Sequence, residues 1–419
     1  MQINYIIFER VCNHEMAKLI ALLTAILAVI TVISGQCTVS NSLTYHKRSI
    51  YEFSIDLMTR IAQDKENHFI SSPFSAWTLI ASISFAAKGD TLDEIIRVLR
   101  LHHHACFRNK IFDTITSVYE APDDTVIEKS STLYMDEKYD IKDRFIDELS
   151  KIGTVDSVKM SFDDTAFLAS QINEFVAKGT AGAIRDIVTQ DDIQGAILIL
   201  VDALYFKSAW RVMFPTEETE VAPFYSENGD VEIGNVNLMA VTDNFNVTLV
   251  PQIEATVLEL PYGRSNKYSM LIYLPNNKVS VSKLLTSLKR ISLKTIFKMF
   301  GPRTESKTVV QIPRFKISSD MDNFKELLVD MGLASMFEMS RAQFPGISDF
   351  QIYLSDLVQK ATVEVNESGT EASAATVAEF EFRMLPNQFI ANKPFVYMIV
   401  EKSLEIPIFT GVYSKPSIY

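Results

Sequence analysis

The hydrophobic pattern of the sequence changes its period near residue 190, and this change restricts the fold more than any other feature. Apolar residues over 50–61 recur on one face of a predicted helix, and the chain to about residue 189 is mainly of this kind. Residues 197–201 and 268–274 are instead short apolar runs, which are typical of buried strands. No repeat or proline-rich linker divides the chain. Helices followed by strands predict an α+β architecture.

Composition and charge exclude several classes of protein. The 419 residues are 47% hydrophobic and include only 14 glycines and 14 prolines, which excludes collagen-like and largely disordered chains. The net charge of −12 argues against a nucleic-acid partner, since binding to phosphates needs a basic surface. Three cysteines are too few for a disulfide scaffold, so a hydrophobic core must hold the fold.

The amino terminus has the pattern of a secretory signal peptide. Lys18 precedes fifteen uncharged residues, 19–33, and the small residues Ser34 and Gly35 follow. A membrane anchor would need about 20 apolar residues. We therefore predict a cleaved signal peptide over 1–34, a single mature domain over 35–419 and an extracellular, non-membrane protein.

In a secreted protein, cysteines can form disulfides and sequons can be glycosylated. Cys37 and Cys106 could form a disulfide or remain two free thiols. Sequons occur at Asn246 and Asn366. Asn246 follows a polar segment that we interpret as a turn, whereas Asn366 lies in an alternating strand pattern. Asn246 is therefore the predicted glycosylation site.

The sequence lacks the common motifs of enzymes. No two glycines are four or two positions apart, which excludes the Gly-x-Ser-x-Gly elbow and the Gly-x-Gly-x-x-Gly dinucleotide motif, and there is no P-loop. All six histidines lie in the first quarter of the chain. The triplet 102–104 has a spacing that does not suit a metal site. We expect no catalytic residues, no metal and no cofactor.

One basic cluster interrupts the acidic chain. The histidine triplet lies among Arg97, Arg100, Arg108 and Lys110. These cations could bind a sulfated glycan, or they could simply form an exposed helix end.

The segment from Thr370 to Arg383 alternates with a period of two. Small or apolar residues occupy one face, and the other face carries three glutamates. Such alternation predicts a half-buried strand. Its small side chains could also slide between other elements without clashing.

Several ordered motifs resemble those of the serpins, a family of serine-protease inhibitors, over nearly the whole mature chain. The resemblance rests on residues 67–73 (NHFISSP), 258–262 (LELPY), 312–315 (IPRF), 344–347 (FPGI), 366–376 (NESGTEASAAT) and 389–395 (FIANKPF).

The resemblance implies a fold and a mechanism. The fold would have three β-sheets, eight or nine helices and an exposed reactive-centre loop over about 367–388. A protease would cleave this loop, which would then insert into the main sheet and trap the acyl-enzyme. The residues that match the family's hinge are Glu367, Gly369, Thr370, Ala372, Ala374, Ala375 and Thr376.

Family spacing also assigns the reactive bond. Sixteen residues beyond Glu367 lies Arg383, so the scissile bond would be Arg383–Met384 and the target a trypsin-like protease. Phe380 and Phe382 would occupy neighbouring subsites. A shift of one residue would place Phe382 or Met384 in the specificity pocket and favour a chymotrypsin-like enzyme. The alternative on the same fold is a non-inhibitory carrier or chaperone.

The resemblance also places residues that control sheet opening. Arg314 is expected opposite Glu367, as a latch that holds the loop base in place, and Trp210 belongs to the same region. Asp202 and Gln359 occupy positions under the main sheet where many members have asparagine and histidine. A buried carboxylate is costly unless it is hydrogen-bonded, so sheet opening would depend on pH. The protein would act as a monomer.

Overall fold

The computed structural model describes residues 37–122, 124–301, 305–321, 323–367 and 386–419. The predicted signal peptide and most of the predicted reactive-centre loop lie outside these residues. Among the described residues, no helix combines the length and apolar composition needed to cross a bilayer.

Eleven α-helical segments occur in the described residues, of which two are single turns of four residues. They are α1 (Val39–Asp64), α2 (Pro73–Ile83), α3 (Gly89–Val98), α4 (Ala105–Lys110), α5 (Phe112–Ile115), α6 (Asp143–Ile152), α7 (Thr165–Gly179), α8 (Gln190–Ile193), α9 (Val281–Leu288), α10 (Leu293–Met299) and α11 (Phe324–Asp330).

Local sequence explains where the first two helices lie. The apolar face predicted over 50–61 is buried along α1, as its period required. Helix α2 begins at Pro73, whose fixed φ suits the first helical position. The hydroxyl of Ser72 accepts a hydrogen bond from the Ser75 amide and so caps the helix.

Fourteen strands are described. They are β1 (Phe69–Ser71), β2 (Thr125–Asp136), β3 (Asp156–Met160), β4 (Leu198–Ser208), β5 (Glu220–Tyr225), β6 (Glu232–Val250), β7 (Ala255–Pro261), β8 (Tyr268–Pro275), β9 (Glu305–Pro313), β10 (Phe315–Met321), β11 (Leu354–Val365), β12 (Asn387–Ile390), β13 (Phe395–Glu401) and β14 (Ile406–Tyr413).

These strands form two hydrogen-bonded sheets, and the predicted α+β class is confirmed. The five-stranded sheet has the order β10-β11-β4-β2-β3. The nine-stranded sheet has the order β1-β14-β13-β8-β7-β6-β9-β12, with β5 paired to β6. The resemblance implied three sheets. Two are found in the described residues because β6, 19 residues long, pairs with β5, β7 and β9 and makes one continuous sheet.

Both faces of the five-stranded sheet are covered. Along β4, Ile199, Val201 and Ala203 belong to a small apolar cluster with α7, whereas Leu200 and Leu204 belong to the main core. Alternate residues of a strand point to opposite faces. Asp202 therefore lies on the main-core side, where it is fully buried.

The structure pairs the two cysteines of the predicted mature chain. Cys37 and Cys106 form a disulfide with their Cα atoms 6.2 Å apart, and 69 positions separate them in sequence. The bond ties the chain just before α1 to α4, so it closes a loop around the first three helices. Of the two alternatives that the sequence left open, the disulfide is the one observed.

Removing this disulfide should destabilise the fold. We expect Cys37→Ser to lower the free energy of unfolding by about 2–4 kcal/mol, because the unfolded chain loses the closure of a long loop. Urea unfolding of the wild type with and without dithiothreitol is the measurement, with Cys37→Ser as the control that should not respond to the reductant. A wild-type midpoint that is unchanged by reduction would contradict the prediction.

Candidate functional site

The base of the predicted loop is held by the segment that follows β4. The indole Nε1–H of Trp210 donates a hydrogen bond to the Asn366 carbonyl at 2.8 Å. The amide of Phe214 donates to the Glu367 carbonyl at 3.0 Å. Trp210 is itself fixed by stacking on Tyr262, with ring centroids 4.4 Å apart. The carbonyls of the two residues that follow β11 are therefore anchored immediately before residue 368.

The side chain of Glu367 makes the predicted ion pair. Its carboxylate accepts hydrogen bonds from Arg314 Nη1 at 3.1 Å and from the Thr219 hydroxyl at 2.9 Å. Glu367 is only 8% exposed, so the pair is more than two solvated surface charges. Arg314 also donates from Nε to the Tyr419 carbonyl at 2.6 Å. The latch geometry, Arg314 opposite Glu367, is thus present; its role in holding the sheet closed stays a prediction.

A second polar cluster lies under the seam between β4 and β11. One Asp202 carboxylate oxygen accepts hydrogen bonds from the hydroxyls of Ser75 at 2.8 Å and Ser131 at 2.6 Å. The other accepts one from Gln359 Nε2 at 2.7 Å. Asp202 and Gln359 are also partners in the parallel ladder. One buried carboxylate therefore joins α2, β2, β4 and β11.

Gln359 extends this cluster to the start of α2. Its Oε1 accepts a hydrogen bond from the Ser72 amide, and its Nε2 donates to the Ser72 carbonyl, both at 3.0 Å. Separating β11 from β4 would break the Asp202–Gln359 bond, and moving β11 away from α2 would break both bonds to Ser72. The cluster therefore opposes opening of the sheet at this seam.

The charges of the cluster are partly compensated. Burial raises the pKa of the Asp202 carboxyl, an effect that nearby Lys129 and the three hydrogen bonds oppose. Burial lowers the pKa of Lys129, against the attraction of Asp202 and Asp156. The Lys129 ammonium donates to the Thr154 carbonyl and lies 5.1 Å from the Tyr119 ring centroid. Burial also raises the pKa of Tyr119, so its phenol stays neutral.

Asp202 should make the stability of the folded protein depend on pH. A carboxyl whose pKa is raised on folding stabilises the fold below its unfolded pKa, about 3.9, and this contribution is lost as pH rises through the folded pKa. We expect the unfolding midpoint of the wild type, relative to that of Asp202→Asn, to fall as pH rises from 4 to 8. Calorimetry of both proteins tests this. A difference that is constant across the range would contradict it.

The cations of the basic cluster near α4, within residues 97–110, are paired with neighbouring carboxylates or backbone carbonyls. Arg100 forms ion pairs with Glu52 at 3.0 Å and Asp56 at 2.7 Å, both on α1. Lys110 pairs with Asp113 at 3.2 Å. The remaining two arginines bond backbone carbonyls: Arg97 that of Gly332, and Arg108 those of His102 and His103. This surface offers a polyanion less positive charge than its sequence suggests.

The surroundings of the sequons differ from expectation. Asn246 does not follow a turn, because β6 runs unbroken through it and pairs with β7 and β9 on either side. Its Nδ2 donates to Glu259 at 2.8 Å. Asn366 lies just beyond β11, and its Nδ2 donates to Glu364 at 3.2 Å. Glycosylation of Asn246 stays a prediction.

The remaining predicted site residues fall outside the described chain. They are Gly369, Thr370, Ala372, Ala374, Ala375, Thr376, Phe380, Phe382, Arg383 and Met384. Within the described ranges, no group of three or more histidine, cysteine, aspartate or glutamate side chains is placed to hold a metal ion.

Four partners in these clusters were not identified from sequence. Ser75, Lys129, Ser131 and Thr219 belong to no motif and lie far along the chain from the groups that they contact. Only the strand register places Ser131 opposite Asp202. An alternation analysis of β2 could have put Ser131 on the buried face, but it could not have identified its partner.

Comparison with known proteins agrees with this architecture. The family model described as "Serpin (serine protease inhibitor)" matches residues 48–416. Serpin B6 of Macaca fascicularis is 28% identical over 87% of this chain and 97% of its own length. Plasminogen activator inhibitor 1 of Sus scrofa is 26% identical over 87% and 91%, respectively.

Solved structures agree as well. Serpin48 of Tenebrio molitor superposes with a TM-score of 0.73 at 26% identity and covers 88% of this chain and 97% of its own. Native protease nexin-1 with heparin superposes with a TM-score of 0.76 at 25% identity and covers 90% and 100%. Together with the latch and seam geometry, these matches show that the chain belongs to the serpin family of serine protease inhibitors.

Proposed function

We propose that this protein is a secreted inhibitor of trypsin-like serine proteases that acts as a suicide substrate. The protease would cleave Arg383–Met384, and the freed loop would enter the five-stranded sheet between β4 and β11 before the acyl-enzyme is hydrolysed. The observation that carries the proposal is that β4 and β11 run parallel to each other, and that the loop follows directly after β11 in the sequence.

Strands β4 and β11 are parallel neighbours, whereas β11 pairs antiparallel with β10 and β4 pairs antiparallel with β2. A loop that turns back at residue 367 runs antiparallel to β11. Inserted at the seam, it would be antiparallel to β4 as well. Antiparallel pairing is slightly more stable per residue than parallel pairing, so two antiparallel ladders would replace one parallel ladder.

The loop has a suitable length and composition for this step. About 14 residues in extended form span roughly 45 Å, which would carry an attached protease along the whole sheet. About a dozen new ladder hydrogen bonds at roughly 0.5–1.5 kcal/mol each would drive the insertion. The alternating small side chains of 370–378 can enter a packed sheet without clashes.

The disulfide supports secretion. Structural disulfides persist in oxidising compartments and are rare in the cytosol. The Cys37–Cys106 bond therefore agrees with a signal peptide over 1–34. Mass spectrometry of the protein released by cultured cells tests both, since it should find a chain that begins near residue 35 with no free thiol.

A non-inhibitory carrier or chaperone on the same fold is the alternative. Residues 370–378 contain no proline and no bulky side chain that would block insertion, which favours the inhibitor. The two functions differ in a single assay, the incubation of the protein with trypsin followed by denaturing electrophoresis.

We expect an SDS-stable adduct whose mass is that of trypsin plus the serpin without its carboxyl-terminal fragment. Trypsin whose catalytic serine is replaced by alanine is the matched control and should form none, because no acyl-enzyme can form. Complete cleavage of the loop without an adduct would show a substrate or carrier and would exclude the proposed inhibitor.

A further inference from the structure

One lysine in the segment 389–395 contributes to neither the latch nor the seam. Lys393 lies between β12 and β13, and it is only 9% exposed. Lysine is almost never buried to this extent unless an opposite charge pairs with it. Lys393 is therefore expected to have an anionic partner.

No carboxylate among the described residues is that partner. The Lys393 ammonium donates one long hydrogen bond, of 3.3 Å, to the neutral side-chain oxygen of Asn277. Burial lowers the pKa of Lys393, and no charged neighbour opposes this effect. Glu227 and Glu254, the acids in adjoining segments, bond groups of α9 instead, at 3.2 and 2.6 Å. The charge of Lys393 thus lacks compensation within the described chain.

Lys393 lines an open cleft of about 590 Å³. The cleft lies between the turn that joins β5 to β6, the end of the β7–β8 ladder and the segment that follows β12. Thr256 and Leu274 are partners in that ladder, so their side chains point to the same face of the sheet. Among the described residues that line the cleft, Lys393 alone is charged.

Neutral polar side chains line the cleft beside Lys393. Thr256, Asn276 and Asn392 are half-buried, and none of the three side chains forms a hydrogen bond within the described ranges. The amide groups of the two asparagines and the hydroxyl of the threonine can all donate hydrogen bonds. The cleft therefore combines one cation with several unused donors, which suits the oxygens of an anion.

The remaining lining of the cleft is apolar. It includes Leu274, Pro275 and Ile390. Ligand sites typically combine such apolar surface with a few polar groups that fix the orientation of the ligand. An anion with an apolar body would use both parts of the lining.

We propose that this cleft binds a small organic monocarboxylate. The Lys393 ammonium pairs with the carboxylate, and the amides of Asn276 and Asn392 donate hydrogen bonds to its oxygens. The apolar body of the ligand lies against Leu274 and Ile390. One cation compensates one negative charge, whereas inorganic phosphate, which is partly dianionic at neutral pH, would leave excess charge among neutral groups. This binding goes beyond the proposed inhibition and does not depend on cleavage of the loop.

Ligand-observed NMR titration of the full chain with hexanoate tests the proposal. We expect saturable binding with a Kd of roughly 1 mM or lower, as suits a ligand of this size. Hexanamide has nearly the same shape but no charge, so it should bind about tenfold or more weakly, because the charge-assisted bond is lost. Inorganic phosphate at the same concentration should not displace hexanoate.

Two variants and a control locate the site. Lys393→Met removes the charge but keeps an unbranched side chain, and it should weaken hexanoate binding about tenfold or more. Its unfolding midpoint should not fall, because the cost of burying an unpaired charge is removed. Asn276→Ala should weaken binding by a smaller factor, and it supplies the test if Lys393→Met does not fold. Lys294→Met makes the same charge change at an exposed position of α10 and should bind hexanoate as the wild type does.

Several outcomes would overturn the proposal. These are the absence of saturable hexanoate binding, equal binding of hexanamide, and unchanged binding in Lys393→Met or, where that variant does not fold, in Asn276→Ala. Displacement of hexanoate by inorganic phosphate would also overturn it, since it would assign the cleft to inorganic anions.

Discussion

Arg383→Ala is expected to lower the rate constant for trypsin inhibition by roughly 10²–10⁴-fold, while the unfolding midpoint stays unchanged. A trypsin-like pocket has an aspartate at its base, and without an arginine that buried charge loses its partner. The loss of one partner of a buried pair costs about 3–5 kcal/mol, which corresponds to the stated factor. The measurement is the second-order rate constant, together with the masses of the cleavage fragments.

Two further variants separate specificity from loop damage. Arg383→Lys should keep most of the inhibition, because trypsin-like pockets also accept lysine. Phe382→Ala should change the rate much less than Arg383→Ala. If the fragments show cleavage after Phe382, and trypsin is inhibited equally by wild type and Arg383→Ala, the assignment of the reactive bond is wrong.

The second large effect is expected at the latch. Glu367→Lys places a second cation against Arg314 in a site where the native side chain is only 8% exposed. The Thr219 hydroxyl also loses its acceptor. We expect the end of β11 to release, the seam to open, and the loop of one molecule to enter the sheet of another. Native electrophoresis after mild heating should show polymers for the variant at a temperature at which the wild type stays monomeric.

Strand β11, which ends just before the latch residue, supplies a matched control. Glu364 pairs with Lys316 at 3.5 Å and accepts a hydrogen bond from Asn366 Nδ2 at 3.2 Å, but its ion pair is more exposed than the latch, so Glu364→Lys should have a much smaller effect. The charge swap Glu367→Lys/Arg314→Glu should reduce polymer formation. Its rescue should be incomplete, because Arg314 also donates to the Tyr419 carbonyl. A Glu367→Lys protein that remains monomeric and fully inhibitory under these conditions would exclude the latch.

Local sequence determined where several of the helices and strands lie. The helical face over 50–61 and the apolar run of β4 both appear as predicted, since they depend on neighbours a few positions away. Family correspondence placed Arg314 opposite Glu367, and this pair forms. It placed Asp202 and Gln359 under the main sheet, and the structure shows that they bond each other there.

Local sequence patterns did not predict the contacts between segments that are distant along the chain. The polar residues before Asn246 predicted a turn, but pairing with β7 and β9 holds that stretch in β6, because two ladders outweigh local preference. The cations at 97–110 suggested a free basic surface, yet carboxylates of α1, about fifty positions earlier, neutralise Arg100.

The sequence by itself therefore determined the class of fold, the family and the residues at the base of the loop. Only the tertiary structure decided that Cys37 and Cys106 pair and that Lys129 lies near Asp202. The physical reason is that charge compensation and disulfide formation depend on distances of a few ångströms between segments far apart in the chain. Those distances are set by how the sheets and helices pack, which no local pattern records.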